Sequence, residues 1–342
     1  MTRRVVICAV LSLVFAAPSS AGSSAASWAQ PQIKVVTAHG LMGGTTTGFR
    51  PDDPLSAGDL ADLVGGLTNK PAVIPADPSV PVTIAQLDAQ LVRGLGLLPV
   101  ARQFTAGIRG AGLRPPSYFG TETVARLLGL RFNHPTAQDS LELAPDGVAT
   151  RAEAAFSAAH ILGFTGGESA WLTQVASTFL PAPLSGLRRS VLQTAVSLVG
   201  EPYVWGGTSE QPQDPFDTGA LVPGGFDCSG FVWRVFKLQP YAGAETLAAV
   251  IKGRSTFAMS GEVPAAKRLP VTKVQPGDLL FFGANGPKST PAQVDHVGIY
   301  LGGNWFIQAS SQGVALAPWT DASAKRFAWA RDPIAEAGLS ND

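Results

Sequence analysis

Charge is scarce in this 342-residue chain: 15% of its residues are charged, and 25 basic residues offset 25 acidic ones to a formal net charge of zero. Without a basic excess there is no broad electrostatic grip on nucleic acid. Hydrophobic residues make up 45% of the chain, so a folded protein is expected rather than a disordered one. Long apolar runs are lacking as well. The candidate at Val5 to Ala17 is too short for a comfortable bilayer span. It follows Arg3 and Arg4, breaks at Pro18 and leads into small residues from Ser19 to Ala29, the three-part pattern of an export signal. Cleavage after Ala21, Ala26 or Ala29 would leave a secreted protein with no membrane span.

Cysteine and histidine are equally sparse. Of two cysteines, Cys8 lies in the export signal, which leaves Cys228 alone and excludes an internal disulfide in the mature protein. A lone cysteine is either a small core residue or a reactive thiol. The four histidines, His39, His134, His160 and His296, are spread over two predicted domains and offer no zinc-ligand grouping. No cofactor is expected.

What is present first is a repeat. A Pro/Asp loop from Gly48 to Ser56 precedes an apolar helix pattern from Leu60 to Leu67. Pro81 to Leu87 leads into a helix ending near Gly94. Val124 to Leu130 and the loop Leu143 to Ala149 precede a helix from Thr150 to Leu162. Such units bury their apolar faces against one another. Thr150 and Glu153 have the spacing of a capping box, in which hydroxyl and carboxylate both satisfy free amides. These stretches resemble the S-layer homology repeat, a small helical module that binds wall polymers. The Thr-Arg-Ala-Glu signature of that family stands at Thr150 to Glu153, whereas Ser56 to Asp59 and Thr83 to Gln86 depart from it. The resemblance therefore implies either a polymer-binding module or a helical spacer.

The domain reading is an export signal at 1–29, helical repeats at 30–165, a linker or packed helix at 166–186, and a second domain at 187–335. Trp171, Leu172, Val175 and Phe179 share a face in the connecting stretch, and Pro181 to Pro183 stop it. The second domain opens with helical spacing from Leu187 to Val199. Strand-like runs follow at Asp278 to Phe282, Val294 to Leu301, Trp305 to Ala309 and Phe327 to Ala330. The expected fold class is an all-α repeat domain followed by an α+β domain with a mostly antiparallel sheet.

Chemistry concentrates in that second domain. In Phe226 to Phe236, Asp227 is a good N-cap and Cys228 falls in the first helical turn, where free amides and the helix dipole favour a thiolate. Gly230 is costly inside a helix and points to a close backbone neighbour. His296 is the histidine that shares the domain with Cys228. If Leu301 to Gly303 form a hairpin loop, Tyr300 faces Asn304 and His296 faces Gln308 directly, so the amide could fix the imidazole. Each of the three alone is more often structural. Together they form a Cys–His–polar constellation.

Four blocks carry a further resemblance: Glu201 to Gly207, Phe226 to Val232, Val274 to Phe282 and Asp295 to Gly302, with a weaker one at Gly253 to Thr256. They resemble the NlpC-type cell-wall cysteine peptidases over roughly Leu187 to Ala330. The resemblance implies a papain-like fold and hydrolysis of wall stem peptides, chiefly at the γ-D-glutamyl–diamino acid bond. It implies catalysis by Cys228, His296 and Gln308. Substrate contacts are implied at Tyr203, Trp205, Asp227, Ser229, Arg254 and Thr256, with Tyr203 and Asp227 at the substrate's free amine. It also implies a wall-associated location, with peptidoglycan stem peptides as partners and wall polymer as a partner of the repeats. The third position is often His in the family; Gln308 keeps an acceptor but cannot carry charge. A Pro/Asp-rich insertion, Thr208 to Gly224, is not covered. Two other readings stay open: a wall-binding protein with an inactive peptidase domain, and an acyltransferase on the same fold.

Overall fold

The computed structural model describes residues 27–43 and 45–340. Residues 1–26 of the expected export signal, Cys8 among them, lie outside the described residues, whereas Trp28 stacks on Phe132 and Ala29 is buried. No described helix is long and apolar enough to cross a membrane.

The N-terminal half is helical: α1 (Gln30–Ala38), α2 (Ala57–Thr68), α3 (Ile84–Gly94), α4 (Leu98–Gly110), α5 (Phe119–Leu127), α6 (Arg151–Leu162) and α7 (Glu168–Ser177). The three repeat units meet at their loops. Leu55 N–H donates to Ala149 O, Ala149 N–H to Val82 O and Val82 N–H to Leu55 O, at 2.8, 2.9 and 3.0 Å. This closes a ring of main-chain bonds. Each member is buried and directly precedes the N-cap of a helix: Ser56 for α2, Thr83 for α3 and Thr150 for α6. The second unit, furthest from the repeat signature, takes its place as fully as the others.

Caps differ from expectation at one point. Thr150 accepts from Glu153 N at 3.2 Å, but the Glu153 carboxylate does not return the bond. It lies instead at 3.4 Å from Arg131 and 3.5 Å from His134, inside the module. A reciprocal capping box forms at Thr83 and Gln86. The buried Arg131 guanidinium, which also has Asp88 at 3.9 Å, draws that carboxylate inward in preference to a solvent-facing cap bond.

The second half begins with α8 (Gly186–Ser197). A two-stranded ribbon follows, β1 (Thr208–Ser209) with β2 (Gly225–Phe226), then the short helices α9 (Cys228–Trp233), α10 (Leu247–Val250) and α11 (Thr256–Gly261). Strands β3 (Leu279–Gly283), β4 (Val294–Gly302), β5 (Trp305–Ser310), β6 (Gly313–Pro318) and β7 (Phe327–Arg331) form an antiparallel sheet in the order β6-β5-β4-β3-β7. This is the α+β arrangement expected. β6 went unread because Gly313 to Pro318 is alanine-containing, proline-ended and low in strand-forming residues.

The two halves share one apolar core. Phe104 of α4 and Phe179 after α7 meet at 5.2 Å, and Trp305 of β5 packs edge-on to both at 5.5 and 5.1 Å. Residues 166–186 are thus packed rather than free. Arg126 of α5 is buried, pairs with Glu122 at 2.6 Å and donates to the carbonyls of Gly200 and Gln312 across the junction.

Candidate active site

Cys228 is the first residue of α9. Asp227 caps the helix, its Oδ1 accepting from Gly230 N at 2.5 Å. A side chain at Gly230 would collide with the Gly207 carbonyl, which explains the glycine inside the helix. α9 packs on β4, the strand that carries His296. Thr256 Oγ1 lies 3.3 Å from that sulfur.

The electrostatics depart from the expected ready thiolate. Burial pushes the Cys228 thiol up, and the Asp227 charge adds to this; Thr256 and the amides of Val297 and Ser229 oppose it without prevailing. Burial pushes His296 down from its ordinary value, partly offset by the Gln308 bond. Both shifts favour the neutral forms, thiol and imidazole.

His296 Nε2 and Gln308 Oε1 are 2.6 Å apart. An amide oxygen only accepts, so Nε2 carries the proton and Nδ1 keeps its lone pair. The expected direct opposition is corrected. The hairpin turns on two residues, Gly303 and Asn304, both with positive φ, and Leu301 sits in a register irregularity. Ile299 faces Ile307 and Tyr300 faces Phe306, which sets Gln308 level with Gly298 and diagonal to His296. The register slipped by two residues, an even number, so the shared face survives. Gly298 has no side chain between them, and a diagonal neighbour is within reach of a glutamine.

Arg254 gathers the remaining expected residues. It donates to Asp227 Oδ1 at 3.1 Å and Oδ2 at 3.2 Å, to Ser229 Oγ at 2.8 Å, and to the carbonyls of Gly206 and Gly207 at 2.8 and 3.2 Å. Asp227 Oδ2 also accepts from Gly206 N at 3.0 Å. The turn bearing Tyr203 and Trp205 is thereby tied to the helix bearing Cys228. Burial, then the nearby charges of Cys228, Asp227 and Asp139, hold the Tyr203 hydroxyl well above its usual range. Trp205 is 53% exposed at the rim. The inserted loop folds beside it: Phe216 lies against Gly206, and Arg234 grips Glu210 with two bonds of 2.9 Å.

Sequence reasoning missed one residue here. Asp139, from the helical half, accepts from Trp205 N at 3.3 Å. Nothing in the local sequence signals it, because it arrives by packing between halves.

Order, spacing and geometry now converge. Residues 200–331 match the NlpC/P60 family. Residues 21–61 match the S-layer homology domain, over the first repeat unit. The NlpC/P60 part is 29% identical over 131 residues to the gamma-D-glutamyl-L-lysine dipeptidyl-peptidase of Bacillus subtilis strain 168, covering 38% of this chain and 35% of that protein. It is 35% identical over 126 residues to the probable peptidoglycan endopeptidase LytE of the same organism, covering 37% and 28%. It is 35% identical over 121 residues to the peptidoglycan endopeptidase RipB of Mycobacterium tuberculosis strain CDC 1551 / Oshkosh, covering 35% and 42%. The chain spans less than half the length of each of these relatives.

Proposed function

We propose that the NlpC/P60 part of this chain is a cysteine peptidase that hydrolyses stem peptides of the bacterial wall, at the bond between γ-D-glutamate and a diamino acid. The observation that carries this reading is the 2.6 Å bond between His296 Nε2 and Gln308 Oε1, with His296 on the strand against which the Cys228 helix packs. His296 Nδ1 takes the Cys228 proton as the sulfur attacks the carbonyl carbon. The backbone amide of Cys228, at the helix start, faces the developing oxyanion. The carbon–nitrogen bond breaks and the imidazolium returns its proton to the leaving amine. Water, deprotonated by His296, then attacks the thioester, and the acid and the thiol are released. No step draws on a bound cofactor. Export and the S-layer homology match suit action at the wall, where the repeats would hold polymer.

Digestion of purified wall peptides, with mass-spectrometric identification of new termini, tests this. New termini on either side of the glutamyl–diamino acid bond are expected, and their absence removes the peptidase reading. Cys228→Ser should abolish cleavage while the fold is retained; near-normal cleavage by that variant would exclude Cys228 as nucleophile.

A further inference from the structure

Thr256 departs from the habit of other helical threonines in this chain. Thr37, Thr68, Thr105, Thr123 and Thr173 each turn the hydroxyl back to the carbonyl four residues earlier, at 2.7 to 3.1 Å. Thr256 is the first residue of α11, so no preceding helical turn offers it an acceptor. Its Oγ1 stands instead 3.3 Å from Cys228 Sγ and, among the described residues, makes no other hydrogen bond. The side chain is 7% exposed, so the contact is largely shielded from water.

The backbone that carries this hydroxyl is fixed at both ends. Two residues earlier, Arg254 ties Asp227 and Ser229, the chain neighbours of Cys228. Ser255 caps α11, accepting from Ala258 N at 3.4 Å. At the far end the buried Arg331 donates to Met259 O and to Glu262 Oε2, both at 2.9 Å. A donor held in this way needs no reorganisation when charge develops in front of it.

The other groups around the sulfur do little for a thiolate. Burial raises the thiol and the Asp227 charge raises it further, while the Thr256 hydroxyl is the strongest influence in the other direction. Arg254 is engaged with Asp227, Tyr203 is itself pushed up by the charges of Cys228 and Asp227, and burial lowers His296 on β4.

We infer that the Thr256 hydroxyl donates a hydrogen bond to the Cys228 sulfur and stabilises the thiolate as it forms, in place of the substrate contact that the resemblance implied. This deepens the peptidase reading and rests on it for the step itself. His296 Nδ1 takes the S–H proton, the sulfur keeps the electron pair, and the hydroxyl proton stays on Oγ1.

Iodoacetamide alkylation of the full chain, followed across pH by mass spectrometry of the peptide that carries Cys228, reads the thiol directly. In Thr256→Val, which keeps the branching and loses the donor, the alkylation midpoint should move up by about one pH unit or more, the scale of one hydrogen bond to a charged group. Thr256→Ala, which loses the hydroxyl without gaining a methyl, should shift it likewise, and Thr256→Ser should restore it. An unmoved midpoint would reduce Thr256 to packing. A midpoint that moves down would make the thiol the donor and Oγ1 the acceptor. Either result overturns the inference. On a wall peptide Thr256→Val should lower kcat with KM little changed; a raised KM with unchanged kcat would return Thr256 to the substrate side and overturn it as well. Alkylation needs no turnover, so a shifted midpoint in a chain that cleaves no wall peptide would keep this inference and sink the peptidase reading.

Discussion

Burial moves Cys228 and His296 in opposite directions, the thiol up and the imidazole down, and both movements favour the neutral forms. On the proposed mechanism the nucleophile is therefore generated during the reaction, by proton transfer, rather than stored as an ion pair. The proposed mechanism requires unprotonated His296, so kcat/KM should fall as pH drops through the imidazole pKa, which lies below the ordinary 6.5. Gln308 stabilises the imidazolium and raises that pKa. Gln308→Ala should thus shift the acid limb to still lower pH and reduce kcat by roughly 10- to 100-fold, within the usual worth of an oriented base. An acid limb that moves up, or an unchanged kcat, would show that the 2.6 Å contact does not orient the base. Residue types and order were legible here: a capped cysteine, one histidine in its domain, and an amide at even spacing. The register was not, since the bulge at Leu301 and the two-residue turn arise from three-dimensional twist. Parity protected the conclusion from the error.

Helices and strands were read well where apolar periodicity was strong, as in α2, α3, α6 and α8, and β3, β4, β5 and β7. α4 and β6 escaped because Leu98 to Gly110 and Gly313 to Pro318 lack clear start signals and strand-forming residues. The Thr-Arg-Ala-Glu signature illustrates how an element can be placed correctly for a reason that is half right. Its threonine caps; its glutamate turns to Arg131 and His134 in the interior, at 3.4 and 3.5 Å. Two substitutions separate these roles. Thr83→Ala removes a true capping box and should cost about 1 kcal/mol. Glu153→Ala takes one of two carboxylates from beside the buried Arg131, leaving Asp88 at 3.9 Å, and should cost about 3 kcal/mol. Urea titration of both variants checks the order, and a larger loss for Thr83→Ala would contradict it.

At the scale of the whole molecule, apolar patterning told which faces needed cover but not what covered them. A division at residues 166–186 followed from composition; the packing of Phe104, Phe179 and Trp305 into one core did not. Scanning calorimetry should accordingly show a single unfolding transition for the chain, and two resolved transitions would speak against a shared core. A fragment starting at residue 187 would expose Trp305 and strip the Gly200 and Gln312 carbonyls of Arg126. It should be markedly less stable than the full chain, measured as a lower Tm. A fragment with unchanged Tm and full turnover would instead favour a detachable helical unit.

The ring joining Leu55, Val82 and Ala149 is made of main-chain donors and acceptors alone. Any apolar residue with an N–H can make those links, and among the apolar residues proline alone breaks one. The three units are therefore free to lose their common spelling without losing their closure. Their kinship is recorded in the path of the chain, where mutation erodes it slowly, and an eroded copy such as the second unit stays a full partner in the assembly.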